Sequence, residues 1–350
     1  MKCHNVRDIA RRVAHFARNS VHERWSDELC RKMKIIWRVT MSRIDRKRFV
    51  LNSCWIFLLC AAMLGISRIG AMAQDNNVIK IHTSVHWTWY APQNIYNEHK
   101  ADIANYYDYA DRAFDYITHA WGLEPKIQHY SLFVRPQTGG AFAAGDIGEV
   151  HAVTGKQSPG IGVSYDAFYN VANGIKGFWG YVLITHEMVN LLTGQIVSGG
   201  WPVDWWADHK SPFPMMTAVQ TEYALVPNVA IYHAQQLSGP HGQMFVHLKD
   251  QYGWALFRRA FSMAIKDGMN WDNIGQNPSA LRTNYVCAYL QMAAPESLAK
   301  YITPVVPDYS PSVVRQIIQA HKIISSANSD PSLREAFLHG DYQKALASKR

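Results

Sequence analysis

His186, Glu187 and Asn190 stand together in the run THEMVN, and Asp208 and His209 follow in PVDWWADH. On a helix advancing about 100° per residue, His186 and Asn190 project about 40° apart and Glu187 about 60° beyond Asn190, so the three share one face. That trio suits two kinds of chemistry. A carboxylate can move a proton to or from a reacting group, and imidazole and carboxylate donors can hold a metal ion. Burying an imidazole and a carboxylate together costs several kcal/mol unless a hydrogen-bond network or a metal compensates them.

The element that must position them is legible around the motif. From Gly180 to Leu192 the sequence is almost wholly apolar, with Thr185, His186, Glu187 and Asn190 as its strongly polar members. This pattern predicts a buried helix that carries its polar groups to a pocket. The following stretch, GGWPVDWWADHKSPFP, begins with Gly199 and Gly200 and holds three tryptophans within six positions. It predicts a loop bringing Asp208 or His209 to the helix, with Trp205 and Trp206 as a substrate-binding wall, because flat aromatic faces stack on apolar ligand faces. The same tryptophans equally suit pinning the loop to the core.

THEMVN resembles the zincin helix H-E-x-x-H, in which two histidines bind zinc and the intervening Glu polarises a water. PVDWWADH resembles the segment of gluzincin metallopeptidases that supplies the third, acidic ligand after a tryptophan. Roughly residues 176 to 226 carry the likeness. It implies Glu187 as general base and His186, Asn190 and Asp208 as metal ligands, with His209 as the alternative ligand. It also implies a zincin-like α+β fold, a small amino-terminal mixed sheet with helices followed by an all-α carboxy-terminal lobe. The chain departs from the pattern at Asn190, which replaces the second histidine. A neutral amide oxygen is a poor zinc ligand. Three readings stay open: a Zn2+ site of reduced affinity, a site for a harder ion, or a metal-free descendant that kept the fold.

Each candidate also has a purely structural role to play. Glu187 could be a buried brace bonded to Asn190 or Thr185. Asp208 could cap the next helix. Glu222 suits an orienting carboxylate, a displaced third metal ligand or, more ordinarily, an exposed helix position, and His233, His241 and His247 suit structural histidines. Tyr223 and Tyr232 are candidate oxyanion donors. Three functions follow: a metallopeptidase acting on peptides or glycoproteins, an inactive pseudopeptidase binding peptide or glycan, and a glycosidase pairing Glu187 with Asp204 or Asp208.

The net charge of +8 over 350 residues invites a nucleic-acid partner, but its distribution excludes one. Residues 1 to 73 hold 15 of the 35 Lys and Arg and only 5 of the 27 Asp and Glu, so the remainder is net −2. No basic stripe interleaved with aromatics is left there. MSRIDRKRF, the apolar run from Cys54 to Gly65 and Ala71-Met72-Ala73 together read as a signal peptide cleaved after residue 73. Met41 is an alternative start, and an uncleaved membrane anchor the alternative fate. The expectation is a secreted or periplasmic protein with no stable membrane insertion after cleavage. Cys3, Cys30, Cys54 and Cys60 fall in this leader, which leaves Cys287 without a disulfide partner and most at home as a small buried hydrophobe.

Beyond the leader the expected division is 74–198, ending with the H-E helix, and 199–350, helical. In the first part the pattern predicts a strand over Val78 to Tyr90, one long helix closed by Gly122, a strand in IQHYSLFVRP and a glycine-punctuated turn. Two further strands are expected in GEVHAVTG and IGVSYDAF. In the second it predicts helices in MTAVQTEYAL, QMFVHLKDQYGWALFRRAFSMAIKDG, SALRTNYVCAYLQMAA, PESLAKYI, SPSVVRQIIQAHKII and LREAFLHGDYQKALA.

Overall fold

The chain is described from a computed structural model over residues 77–125, 127, 129–196, 212–274, 280–326 and 329–348. The leader therefore lies outside the described residues. Asn76–Arg350 forms one compact unit. It is α+β, with a small mixed sheet in its amino-terminal part and helices through the rest.

The sheet has five strands: β1 (Val78–Thr83), β2 (Trp87–Pro92), β3 (Tyr130–Arg135), β4 (Ala141–Ala144) and β5 (Gly160–Ser164), in the order β1-β2-β3-β5-β4. β2, β3 and β5 run parallel, with Trp87 opposite Tyr130 and Ser131 opposite Gly160. Both edge strands run antiparallel to their neighbours. Central β3, YSLFVR, is buried at its first five positions, as a strand covered on both faces must be. Leu132 and Val134 face the main core, while Phe133 faces a smaller cluster with Val78, Ile147 and Val150.

Two helices, α1 (Gln93–Ala104) and α2 (Tyr107–Trp121), make the crossover from β2 to β3. The expected single helix is divided at Asn105 and Tyr106, and Gly122 closes it in the left-handed conformation as foreseen. The expected strand over Val78 to Tyr90 is instead two strands of a hairpin, turned by Ser84 to His86, where the Ser84 amide donates to the Trp87 carbonyl and the Ser84 hydroxyl and His86 amide donate to Asp111. β4 falls inside the segment read as a flexible turn. GEVHAVTG, expected as a strand, is a helix, α3 (Gly148–Thr154). The reason is tertiary: β4 and β5 pair directly with each other, leaving no ladder position between them, and the core accepts a single side chain from the segment, Val150.

A short hairpin of β6 (Val171–Ala172) and β7 (Ile175–Lys176), turned by Asn173 and Gly174 at positive φ, leads into α4 (Phe178–Ile196). Asn-Gly is the pair that such a two-residue turn favours. The helical part follows: α5 (Pro212–Leu225), α6 (Pro227–His233), α7 (Pro240–Tyr252), α8 (Trp254–Asp267), α9 (Ala280–Ala293), α10 (Ala299–Ile302), α11 (Pro311–Ile324), α12 (Pro331–Leu338) and α13 (Tyr342–Ala347). α7 and α8 were expected as one helix. Gly253, at φ 63° and ψ −174°, breaks it in a backbone region that is essentially glycine-only. α12 and α13 are likewise two, parted around Gly340. One continuous core runs from Trp87 to Ala345 through sheet and helices alike, with Cys287 fully buried in it. Among the described residues no helix is long and apolar enough to cross a membrane.

Candidate functional site

α4 carries the candidate residues, and its placement is fixed at its start. Tyr106, at the head of α2, donates from its hydroxyl to the Gly177 carbonyl at 2.5 Å. A Cβ at Gly177 would collide with that hydroxyl and with the Phe168 carbonyl, and φ there is +68°. Only glycine lets α2 approach this closely. Two turns into α4, the Tyr109 hydroxyl meets Thr185 Oγ1 at 2.6 Å, and Thr185 donates to the Tyr181 carbonyl at 3.0 Å. Burial, and after it the charge of Glu222, hold the Tyr109 phenol well above its ordinary range. Thr185 is thus committed to α2, which removes it as a brace for Glu187.

Further along, α4 lies against β4, β5, α2 and α5. Its accessible positions are Trp179, Leu183, His186, Asn190 and Gly194, with buried residues between them apart from half-buried Tyr181. At helical spacing these five form one stripe. His186 is half-buried on that stripe and has no hydrogen bond to another described residue. Burial holds its pKa down to about 4, so at neutral pH it is the uncharged imidazole that metals and protons can bind. Glu187, 8% exposed, borders the stripe. Asn190 donates from Nδ2 to Glu187 Oε2 at 3.1 Å, which orients the carboxylate and leaves the Asn190 carbonyl oxygen as a second potential donor atom.

Asp208, His209, Trp205 and Trp206, like Asp204, lie outside the described residues. A catalytic zinc uses three protein donors. His186 nitrogen and Asn190 oxygen fit as two of them, and among the described residues no group of three or more His, Cys, Asp or Glu is placed to hold a metal. Asp208 and His209, the expected third donors, lie in the undescribed segment 197–211.

The sequence reading missed the most completely buried charged pair near α4. Glu222, expected as an exposed helix position, is 0% exposed on α5. Its two oxygens stand 2.9 and 2.8 Å from Nδ1 of His233, itself buried on α6. Desolvation raises the Glu222 pKa above the usual carboxylate range, and the His233 bond and charge oppose that rise. The His233 ring packs against Phe178 at 4.0 Å and Trp179 at 5.4 Å between centroids, and its Nε2 is buried without a hydrogen-bond partner. The signal for this pair was present in the composition of α5: a helix apolar on every side must pair any acid it carries. His241 is buried and His247 exposed, while Tyr223 and Tyr232 are 45% and 39% exposed.

Compared with known proteins, the chain matches no protein-family model and none of the curated proteins.

Proposed function

We propose that the chain is an exported, gluzincin-like metallopeptidase that hydrolyses peptides or glycoproteins, with Glu187 as its general base. The observation that carries this reading is the stripe on α4. A neutral His186 with no hydrogen bond to another described residue lies on the accessible face of α4 next to the sheet edge, bordered by a buried Glu187 that Asn190 orients.

In the reaction, the oxygen of a water bonds to the scissile carbonyl carbon as Glu187 takes one of its protons. Glu187 then delivers that proton to the amide nitrogen as the C–N bond breaks, releasing an acid and an amine. Asn190 keeps the carboxylate aimed throughout. His186, Asn190 and Asp208, or His209 in the last position, would hold a Zn2+ ion, which when bound would supply Lewis acidity to the carbonyl and lower the pKa of the water. β4 is the outer strand of the sheet and its sequence, AFAA, carries no charge or proline to discourage pairing. An extended substrate could add to that edge by main-chain bonds.

The test is metal analysis of the purified full-length protein, with peptide hydrolysis measured before and after a chelator. Bound zinc, loss of hydrolysis on chelation, and a drop of about 10²- to 10⁴-fold in Glu187→Gln with an unchanged melting temperature are expected. No metal, and no effect of the chelator on activity or melting, would overturn the reading.

A second reading, an inactive pseudopeptidase that binds peptide or glycan, is favoured by the Asn190 to Glu187 bond. An amide that spends its nitrogen on bracing the acid behaves as a helix brace as much as a ligand. Under that reading Asn190→His gains zinc affinity and the natural protein has none.

A further inference from the structure

Four of the eight exposed large hydrophobic side chains among the described residues fall on the start of α4, the end of α5 and α6: Trp179, Tyr223, Ile231 and Tyr232. Trp179 and Tyr232 both pack edge-on against Phe178, with ring centroids 5.1 and 6.2 Å from it. Below them lies the buried Glu222 and His233 pair, whose imidazole touches Phe178 and Trp179. A pair of ionisable groups taken fully out of water is costly to keep under an apolar surface. Here it locks α5 and α6 against the first turn of α4, so Trp179 and Tyr232 stand on a rigid base. Trp179 is 39% exposed and occupies the same helix stripe as His186, seven residues earlier. Seven residues of helix are two turns, about 10 Å along the axis.

We infer that Trp179 and Tyr232 form an aromatic subsite, seated on the His233 and Glu222 pair, that accepts a large apolar or aromatic side chain of an extended peptide two or three residues from the bond at Glu187. This deepens the peptidase reading and rests on it for the register. An extended chain advances about 3.3 Å per residue, so 10 Å is about three residues, and the uncharged edge of β4 beside α4 suits a peptide main chain better than a sugar. Rigid aromatic side chains lose little freedom when they bind.

Two measurements on the full-length protein separate this inference from the hydrolase reading. In the first, a proteome-derived peptide library is digested and the cleaved ends are sequenced by mass spectrometry. The natural protein should enrich Phe, Tyr, Trp or Leu at one position two or three residues from the cut. Trp179→Phe should keep that preference, while Trp179→Ala and, independently, Tyr232→Ala should weaken it about tenfold with zinc content unchanged. In the second, Glu187→Gln protein is titrated with fluorescent hexapeptides of alanine carrying a single Phe. The Phe peptides should bind about tenfold tighter than the all-Ala peptide, and Trp179→Ala should erase the difference. Phe-dependent binding without any cleavage would sink the hydrolase and leave the subsite standing. Cleavage or binding indifferent to both substitutions would overturn the subsite, as would an equal dependence on Trp179 seen only with oligosaccharides.

Discussion

The half-buried His186 ring makes a quantitative demand on how stability varies with pH. An imidazole titrates near 6.5 when unfolded, and burial lowers this one to about 4 in the folded chain. Between those two values the unfolded state binds a proton that the folded state refuses, so stability rises with pH there and is lost as pH falls. A pKa lowered from 6.5 to about 4 corresponds to about 3 kcal/mol, since each tenfold change in proton affinity is 1.36 kcal/mol. The contribution is fully in place above pH 6.5 and gone by about pH 4. The assay is urea unfolding of the natural protein and of His186→Leu at pH 7, 6, 5 and 4, in chelator so that no metal competes for the ring. Carboxylates elsewhere also titrate in this window, but they do so equally in both proteins, and the difference isolates His186. The natural protein should lose about 3 kcal/mol more than His186→Leu between pH 7 and pH 4. Parallel curves would show that the imidazole is hydrated or paired, and the description of it as a desolvated, unpartnered donor would be wrong.

Three further outcomes are expected. Removing one member of the buried pair by Glu222→Ala should cost about 3–5 kcal/mol in unfolding free energy, whereas Glu222→Leu combined with His233→Phe should cost much less than the sum, as a double-mutant cycle would record. Burial pushes the Cys287 thiol far above its ordinary range, so it should resist iodoacetamide in the native protein and react fully once unfolded; rapid native labelling would refute its place in the core. Gly177→Ala should destabilise by about 2 kcal/mol or more, because the new methyl meets Tyr106 and the Phe168 carbonyl in a left-handed backbone conformation, and Tyr106→Phe should not rescue it fully, a result readable from melting temperatures.

Much of the architecture could be read from local pattern. The apolar run from Gly180 to Leu192 reads as a buried helix, Gly122 as the end of one, and the polar trio on α4 follows from spacing alone. Periodicity failed where tertiary neighbours decided. GEVHAVTG has the β-branched residues of a strand, yet β4 and β5 pair directly across it and the core takes only Val150 from it, so it coiled into α3. QMFVHLKDQYGWALFRRAFSMAIKDG keeps helical spacing across Gly253, and the break there depends on a backbone conformation that no hydrophobic pattern records.

The sequence by itself determined which chemistry α4 can carry, because helical geometry puts His186, Glu187 and Asn190 on one face whatever surrounds them. Only the tertiary structure decided what each group does there. Packing against α2 took Thr185 away from Glu187, desolvation made His186 neutral, and the meeting of α5 with α6 buried Glu222 against His233 beneath Trp179. Those outcomes depend on distances between segments far apart in the chain, and burial and pairing energies exist only once those segments meet.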